Sequence, residues 1–156
     1  MLSENKKSVL SIGTNMGNRA KNILDAVEAI SLLPDTNVLK CSRLYETKPI
    51  GYKNQQNFYN NCILIETKLS PLSLLKECLD IEKAAGRVSL FENGPRVLDI
   101  DLIVYEGFTS DTAELTLPHP RAQERAFVLA PMSELFDGDS AMGLSFVYDE
   151  ALVKAL

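Results

Sequence analysis

Gly86-Arg87-Val88-Ser89-Leu90-Phe91-Glu92-Asn93-Gly94-Pro95-Arg96-Val97-Leu98-Asp99-Ile100-Asp101-Leu102-Ile103-Val104-Tyr105 is a loop that runs into a strand. From Val97 onward the residues are mostly aliphatic, and strand alternation sends Leu98, Ile100, Leu102 and Val104 to one face. Asp99 and Asp101 share the other face. Two carboxylates so placed repel, and one tends to stay protonated unless a cation joins them. Hard oxygen ligands suit Mg²⁺, which takes one or two carboxylates and fills its shell with water and substrate phosphate. Upstream, Arg87 and Arg96 bracket a turn containing Asn93, Gly94 and Pro95. A planar guanidinium grips phosphate oxygens in pairs. Asp-x-Asp alone is also the pattern of a solvated strand face, but beside two arginines it points to a phosphorylated substrate.

Before this stretch, Ser70-Pro71 offers a capping residue and a proline at the first helical position, predicting a helix to about Ala85. Leu75, Cys78, Leu79 and Glu82 recur at helical spacing, which puts Glu82 on or beside the apolar stripe. A carboxylate there needs a partner such as Arg87. Cys62 to Thr67 reads as a strand, preceded by Phe58-Tyr59-Asn60-Asn61. An aromatic face and an amide's paired donor and acceptor are what a flat heterocycle needs, though the same residues also suit a strand entry with a core aromatic. Thr36 to Glu46 reads as a single strand, followed by a loop from Thr47 to Asn57. The first strand is Val9 to Ile12, and the turn Gly13 to Asn18 leads into a helix marked by Ile23, Val27 and Ile30 and stopped by Pro34. That turn has neither Walker nor dinucleotide spacing and reads as a plain connection. After Tyr105 come a polar turn region from Glu106 to Ala113, His119 locked between two prolines, a short apolar turn of helix from Val128 to Leu135, and a tail that closes the domain.

The order β, α, β, β, α, β predicts an α+β, ferredoxin-like sandwich with a mainly antiparallel sheet and C-terminal additions. Helices on one face leave the other for a site. At 156 residues the chain fits a single domain, residues 1–156. A net charge of −5 argues against non-specific nucleic-acid binding. Arg87, Arg96, Arg121 and Arg125 nevertheless lie close in sequence, and a local cationic pocket suits a nucleotide. Cys41, Cys62 and Cys78 have neither zinc nor redox spacing and read as small buried thiols in a reducing compartment. With a polar start and no long apolar run, the chain reads as a cytoplasmic protein that engages no membrane.

The run Gly94-Pro95-Arg96-Val97-Leu98-Asp99-Ile100-Asp101-Leu102 closely resembles the signature of 6-hydroxymethyl-7,8-dihydropterin pyrophosphokinase, and the resemblance extends from about Val9 to Leu135. His119 after a proline, Arg125 six residues on and Phe127 two beyond that fit the same family. The resemblance implies transfer of diphosphate from ATP to the pterin hydroxymethyl group, with release of AMP, in folate biosynthesis. It implies two Mg²⁺ ions held by Asp99 and Asp101, with Arg87 and Arg96 completing the catalytic set. It assigns ATP, the co-substrate, to Glu82, Arg87, Arg96, Leu102, Thr116, His119 and Arg125. Thr47, Lys48, Ile50, Phe58, Asn60 and Phe127 fall to the pterin. Association with other folate-pathway enzymes belongs to the same expectation. Ser89, Glu92 and Asn93 depart from the arginines and tryptophan many members carry in this loop, as do Lys48 and Leu79 from a frequent proline and glutamine. Two other readings fit the aspartate pair. A different Mg²⁺-dependent nucleotidyltransferase would leave a nucleotide monophosphate on its acceptor. A ferredoxin-like ligand-binding module with weakened catalysis would bind nucleotide without releasing AMP.

Overall fold

The computed structural model describes residues 4–49, 51, 54–86 and 95–156. Ile50, Arg87, Ser89, Glu92 and Asn93 lie outside the described residues. The architecture is mixed α/β, built on an antiparallel sheet with three helices among the described residues.

The first strand, β1 (Lys6–Thr14), is buried from Ser8 onward and is an interior strand of the sheet. It pairs on one side with β4 (Phe58–Thr67) and on the other with β5 (Asp99–Tyr105), both antiparallel. Helix α1 (Arg19–Ser31) follows β1, and Asn18 caps it by accepting the Lys21 amide at 3.1 Å. It ends ahead of Pro34, as a proline's loss of the amide donor requires. Helix α2 (Pro71–Ala84) starts where expected, with Ser70 Oγ accepting the Ser73 amide at 3.2 Å. No helix among the described residues is long and apolar enough to cross a membrane.

Alternation divides the sheet into two apolar layers. Leu10 and Ile12, Ile63 and Ile65, and Ile100 and Leu102 pack under α1 and α2, against Ile23, Ile30, Leu74 and Cys78. Val9, Cys62, Leu64 and Ile103 face the other way, against Val128, Leu129 and Met132 of α3 (Ala126–Ser133). Helix α3 is short, so it covers only part of its face. The uncovered part of that face carries the site.

Four features differ from the reading of the sequence. The strand expected from Thr36 to Glu46 is two strands, β2 (Thr36–Cys41) and β3 (Tyr45–Thr47), both paired with β4. Ser42 marks the break: its amide donates to the Cys62 carbonyl and its hydroxyl accepts the Cys62 amide, at 2.9 and 3.0 Å. Along β5 the register against β1 shifts between Val9 and Leu10, and this bulge turns Val104 away from Leu98, Ile100 and Leu102 into the α3 layer. The buried stripe of α2 is Leu74, Cys78 and Glu82, with Leu75 partly buried against the same core and Leu79 41% exposed, so the stripe lies slightly to one side of the expected face. The region from Glu106 onward includes a small hairpin of β6 (Ser110–Asp111) and β7 (Thr116–Leu117).

Beyond α3 the chain forms a second small hairpin, β8 (Ser140–Ala141) and β9 (Leu144–Ser145). A 3-10 turn at Glu150–Leu152 then leads to β10 (Lys154–Ala155), which pairs with β3 and completes the sheet order β10-β3-β4-β1-β5, with β2 also on β4. The end of α3 is tied to β3 by Glu134. Its carboxylate accepts the Arg43 amide at 2.9 Å, Arg43 Nε at 3.1 Å, and the Tyr45 hydroxyl.

Candidate active site

A cleft of about 860 Å³ opens on the part of the sheet that α3 leaves bare. Its floor is Ser11 and Gly13 of β1, Asn60 of β4, and Asp99 and Asp101 of β5. Register explains the grouping. Gly13 stands opposite Asn60 on one side and Asp99 on the other, and Ser11 stands opposite Asp101. Strands lie about 4.8 Å apart, so the backbones carrying Asn60 and Asp99 are separated by roughly 10 Å across Gly13. A Cβ on Gly13 would meet Asn60 Oδ1 at 2.8 Å, so the residue between the two must be glycine for the amide to lie where it does.

At one end of the cleft, Asn60 Nδ2 donates to Thr47 Oγ1 at 3.0 Å, which fixes the amide, and Lys48, Pro49 and Phe58 complete the wall. Asn60 and Thr47 are both buried. At the other end the aspartates project from either side of the buried Ile100, each partly exposed to the cleft. Arg96 Nε lies 3.8 Å from Asp99 Oδ2, and Arg125 Nη1 lies 3.7 Å from Asp101 Oδ2. Both contacts are longer than a charge-assisted hydrogen bond, so each guanidinium lies near its aspartate while still facing the cleft. The Arg125 guanidinium also lies 5.4 Å from the Phe127 ring centroid.

His119 lines the cleft between these groups. Its amide donates to the Ile103 carbonyl at 2.8 Å, and Nδ1 accepts the Arg121 amide at 3.2 Å. Burial holds the imidazole below its ordinary value, aided by Arg125 and Arg121 and opposed by Asp101. The ring is therefore neutral at pH 7, and with Nδ1 accepting, the proton sits on Nε2, which makes that nitrogen a hydrogen-bond donor.

Glu82 is only 4% exposed, and its Oε2 accepts the Ile100 amide at 2.6 Å. The backbone of β5 supplies one partner, at the residue between the two aspartates, while Arg87, the partner expected from the sequence, lies outside the described residues. Leu102 and Thr116 do not line this cleft. The Leu102 side chain is in the layer under α1 and α2, and the Thr116 hydroxyl donates to the Thr112 carbonyl at 3.1 Å. The cleft thus gathers Thr47, Lys48, Phe58, Asn60, Arg96, Asp99, Asp101, His119, Arg125 and Phe127.

Asn15 was not singled out by the sequence, yet it joins three parts of the site. It is 2% exposed; its amide donates to the Arg96 carbonyl at 3.0 Å and its Oδ1 accepts the Arg96 amide at 2.7 Å. Its Nδ2 donates to Gln55 Oε1 at 2.8 Å and to the Gln56 carbonyl at 3.0 Å. The turn after β1 is therefore a clamp on the loops carrying Arg96 and leading to Phe58. Two asparagines in a glycine-containing turn look like ordinary turn chemistry, and only the long-range partners distinguish Asn15. Arg19 braces the same wall: Nη1 donates to the Asn57 carbonyl at 2.9 Å, and the guanidinium stacks 3.9 Å over the Tyr59 ring.

Among the described residues no group of three or more His, Cys, Asp and Glu is arranged to hold a metal ion. Two carboxylates of one strand face are still the donor set Mg²⁺ accepts when phosphate and water supply the rest.

Residues 9–137 match the family described as 7,8-dihydro-6-hydroxymethylpterin-pyrophosphokinase. Over 132 residues the chain is 43% identical to a folic acid synthesis protein fol1 from Pneumocystis carinii, covering 85% of this chain and 18% of that protein. It is 42% identical over 129 residues to a 2-amino-4-hydroxy-6-hydroxymethyldihydropteridine pyrophosphokinase from Methylorubrum extorquens, covering 83% of this chain and 82% of that one. Among solved structures, a Plasmodium falciparum HPPK-DHPS variant superposes with a TM-score of 0.70 at 15% identity, over 92% of this chain and 44% of that one. The chain thus spans less than a fifth of the fungal protein and most of the bacterial one.

Proposed function

Because the chain belongs to the 7,8-dihydro-6-hydroxymethylpterin-pyrophosphokinase family, we propose that it transfers the terminal diphosphate of ATP to the hydroxyl of 6-hydroxymethyl-7,8-dihydropterin and releases AMP, a step of folate biosynthesis. The observation that carries this reading is the register Asn60–Gly13–Asp99 across three adjacent strands. It sets the backbones of a residue whose amide suits a heterocycle edge and of one whose carboxylate suits a phosphate-bound cation about 10 Å apart, with no side chain on the residue between them. An acceptor held at one end presents its hydroxymethyl group toward the other.

Asp99 and Asp101 would hold Mg²⁺, two ions in the family's pattern. A cation held there would supply neutralisation of phosphate charge and a lowered pKa for the attacking hydroxyl. Arg96 and Arg125 take phosphate oxygens, and His119 Nε2 donates to a further one. Thr47 and Asn60 hold the pterin edge, Lys48 lies beside them, and Phe58 and Phe127 supply apolar contact to the ring. Glu82 fixes the strand between the aspartates, and Asn15 fixes the backbone of Arg96. Leu102 and Thr116 would then serve ATP only through their backbone or outside this cleft; Arg87 and Ile50 complete the assignment from the sequence. Reaction at phosphorus needs little covalent help, so alignment and charge stabilisation carry the acceleration.

We read the sheet as ferredoxin-like, since β1 lies between β4 and β5 with β2 beyond β4. The free thiols of Cys41, Cys62 and Cys78 support a cytoplasmic setting. The much longer fungal relatives support association with other enzymes of the pathway. An assay with ATP, Mg²⁺ and the hydroxymethyl pterin, following AMP, tests the proposal. AMP formation with a diphosphorylated pterin is the expected result. A nucleotide monophosphate left on the acceptor would instead identify a nucleotidyltransferase, and binding without AMP would identify a ligand-binding module.

A further inference from the structure

The family match ends at Asp137, yet the cleft does not. Ala151, Leu152, Val153 and Lys154 line it too, from a segment to which the family match assigns nothing. That segment begins at Asp149, whose carboxylate accepts the Ala151 amide at 2.9 Å and caps the 3-10 turn. The turn packs against α3, and β10 then pairs with β3, Lys154 opposite Glu46 and Ala155 opposite Tyr45. The Leu156 amide donates to the Leu44 carbonyl at 2.9 Å, which fixes the register.

Residues 149–155 therefore span from β3 to α3. These elements carry Thr47, bonded to Asn60, and Phe127, assigned above to the pterin. In the sheet order β10 lies at the opposite extreme from β5, so the segment stands away from Asp99 and Asp101. Strand β3 is three residues long, and without β10 it would end the sheet, with Thr47 less firmly held against Asn60. Leu152, 61% exposed, and the half-buried Val153 give this wall an apolar surface.

We infer that residues 149–155 form a strap that walls the acceptor end of the cleft and selects the acceptor, leaving the nucleotide end untouched. The inference rests on the proposed pterin reaction, because that reading says which substrate occupies the Asn60 end. An apolar strap excludes water from one margin of a flat, uncharged ring, and a carboxylate placed there would have to be desolvated against it.

The test uses two variants of the full chain. Leu152→Asp charges the wall and leaves the backbone pairing intact. Lys154→Pro removes a backbone donor from β10 and loosens β3. Steady-state kinetics with each substrate varied in turn should show the KM for the hydroxymethyl pterin raised by about tenfold in both variants, with the KM for ATP changed less than about twofold. Unchanged pterin KM in Leu152→Asp overturns the strap, as does an equal rise in both KM values, which would indicate general loosening. Should Lys154→Pro fail to fold, Leu152→Asp still decides. A wild-type chain that releases no AMP from these substrates overturns the proposed function itself and the strap with it, whereas an active wild type with insensitive variants overturns the strap alone.

Discussion

Leu10 and Ile12 enter the layer under α1 and α2, while Ser11 and Gly13, their neighbours in the same strand, floor the cleft. One face asks only for apolar volume that packs. The other asks for particular atoms: no Cβ at Gly13, an amide at Asn60, carboxylates at Asp99 and Asp101. Alternation lets one strand meet both demands, and it predicts that substitutions on the two faces damage different properties.

The largest separation should come from Asp101→Ala. Loss of a group that stabilises charge in the reacting state typically lowers turnover by about a hundredfold to a thousandfold or more. Melting without Mg²⁺ should change little, because repulsion from Asp99 is relieved while the weak pair with Arg125 is lost. Near-native turnover of this variant would remove Asp101 from the metal assignment.

Ile12→Ala tests the opposite face from between Ser11 and Gly13. Truncating this fully buried side chain should cost about 2–5 kcal/mol in denaturant unfolding. The pterin KM of the folded protein should stay within a few-fold of wild type. If KM rises well beyond that as stability falls, the two faces are not separable and the comparison breaks.

Asn60→Ala sharpens the contrast within the cleft itself. It strands Thr47 Oγ1 and the pterin edge, weakening pterin binding by about 1–3 kcal/mol while ATP binding holds. Calorimetric titration of both ligands reads the difference, and equal losses would make Asn60 a structural residue.

The smallest effect lies at Glu134, remote from both. Burial alone would raise this carboxyl, but hydrogen bonds from the Arg43 amide, Tyr45 hydroxyl and Arg43 guanidinium, with the guanidinium charge, outweigh it and hold it below 4.5. A lowered carboxyl contributes stability above its unfolded value, and that contribution is lost as pH falls through the lower, folded value. Glu134→Gln should therefore cost no more than about 1 kcal/mol at pH 7, and the gap from wild type should close in acid. A gap that persists unchanged in melting curves however far the pH is lowered would show that packing, not charge, is responsible.

Much of this plan is legible in the residues. Asn18 and Ser70 announce helices because capping is local, and Asp99 and Asp101 share a face because a strand alternates. The bulge that redirects Val104 belongs to the pairing of β5 with β1, and no pattern within β5 contains it. The break at Ser42 depends on Cys62, and the role of Asn15 depends on Arg96, Gln55 and Gln56. Such features arise from contacts distant in sequence, where propensity carries no information. Glu82 is the intermediate case: helical spacing shows that it is buried, but only the fold shows that it meets the Ile100 amide.

That same bond bears on how molecules of this protein meet one another. Strand β5 is the last in its sheet among the described residues, and an unpaired strand margin invites a strand from a second chain to add to it. With its amide at Ile100 already held by Glu82 at 2.6 Å, an incoming chain must displace that hydrogen bond before it finds a donor there. A buried acidic residue on α2 thereby works against self-association at the strand that bears the two aspartates.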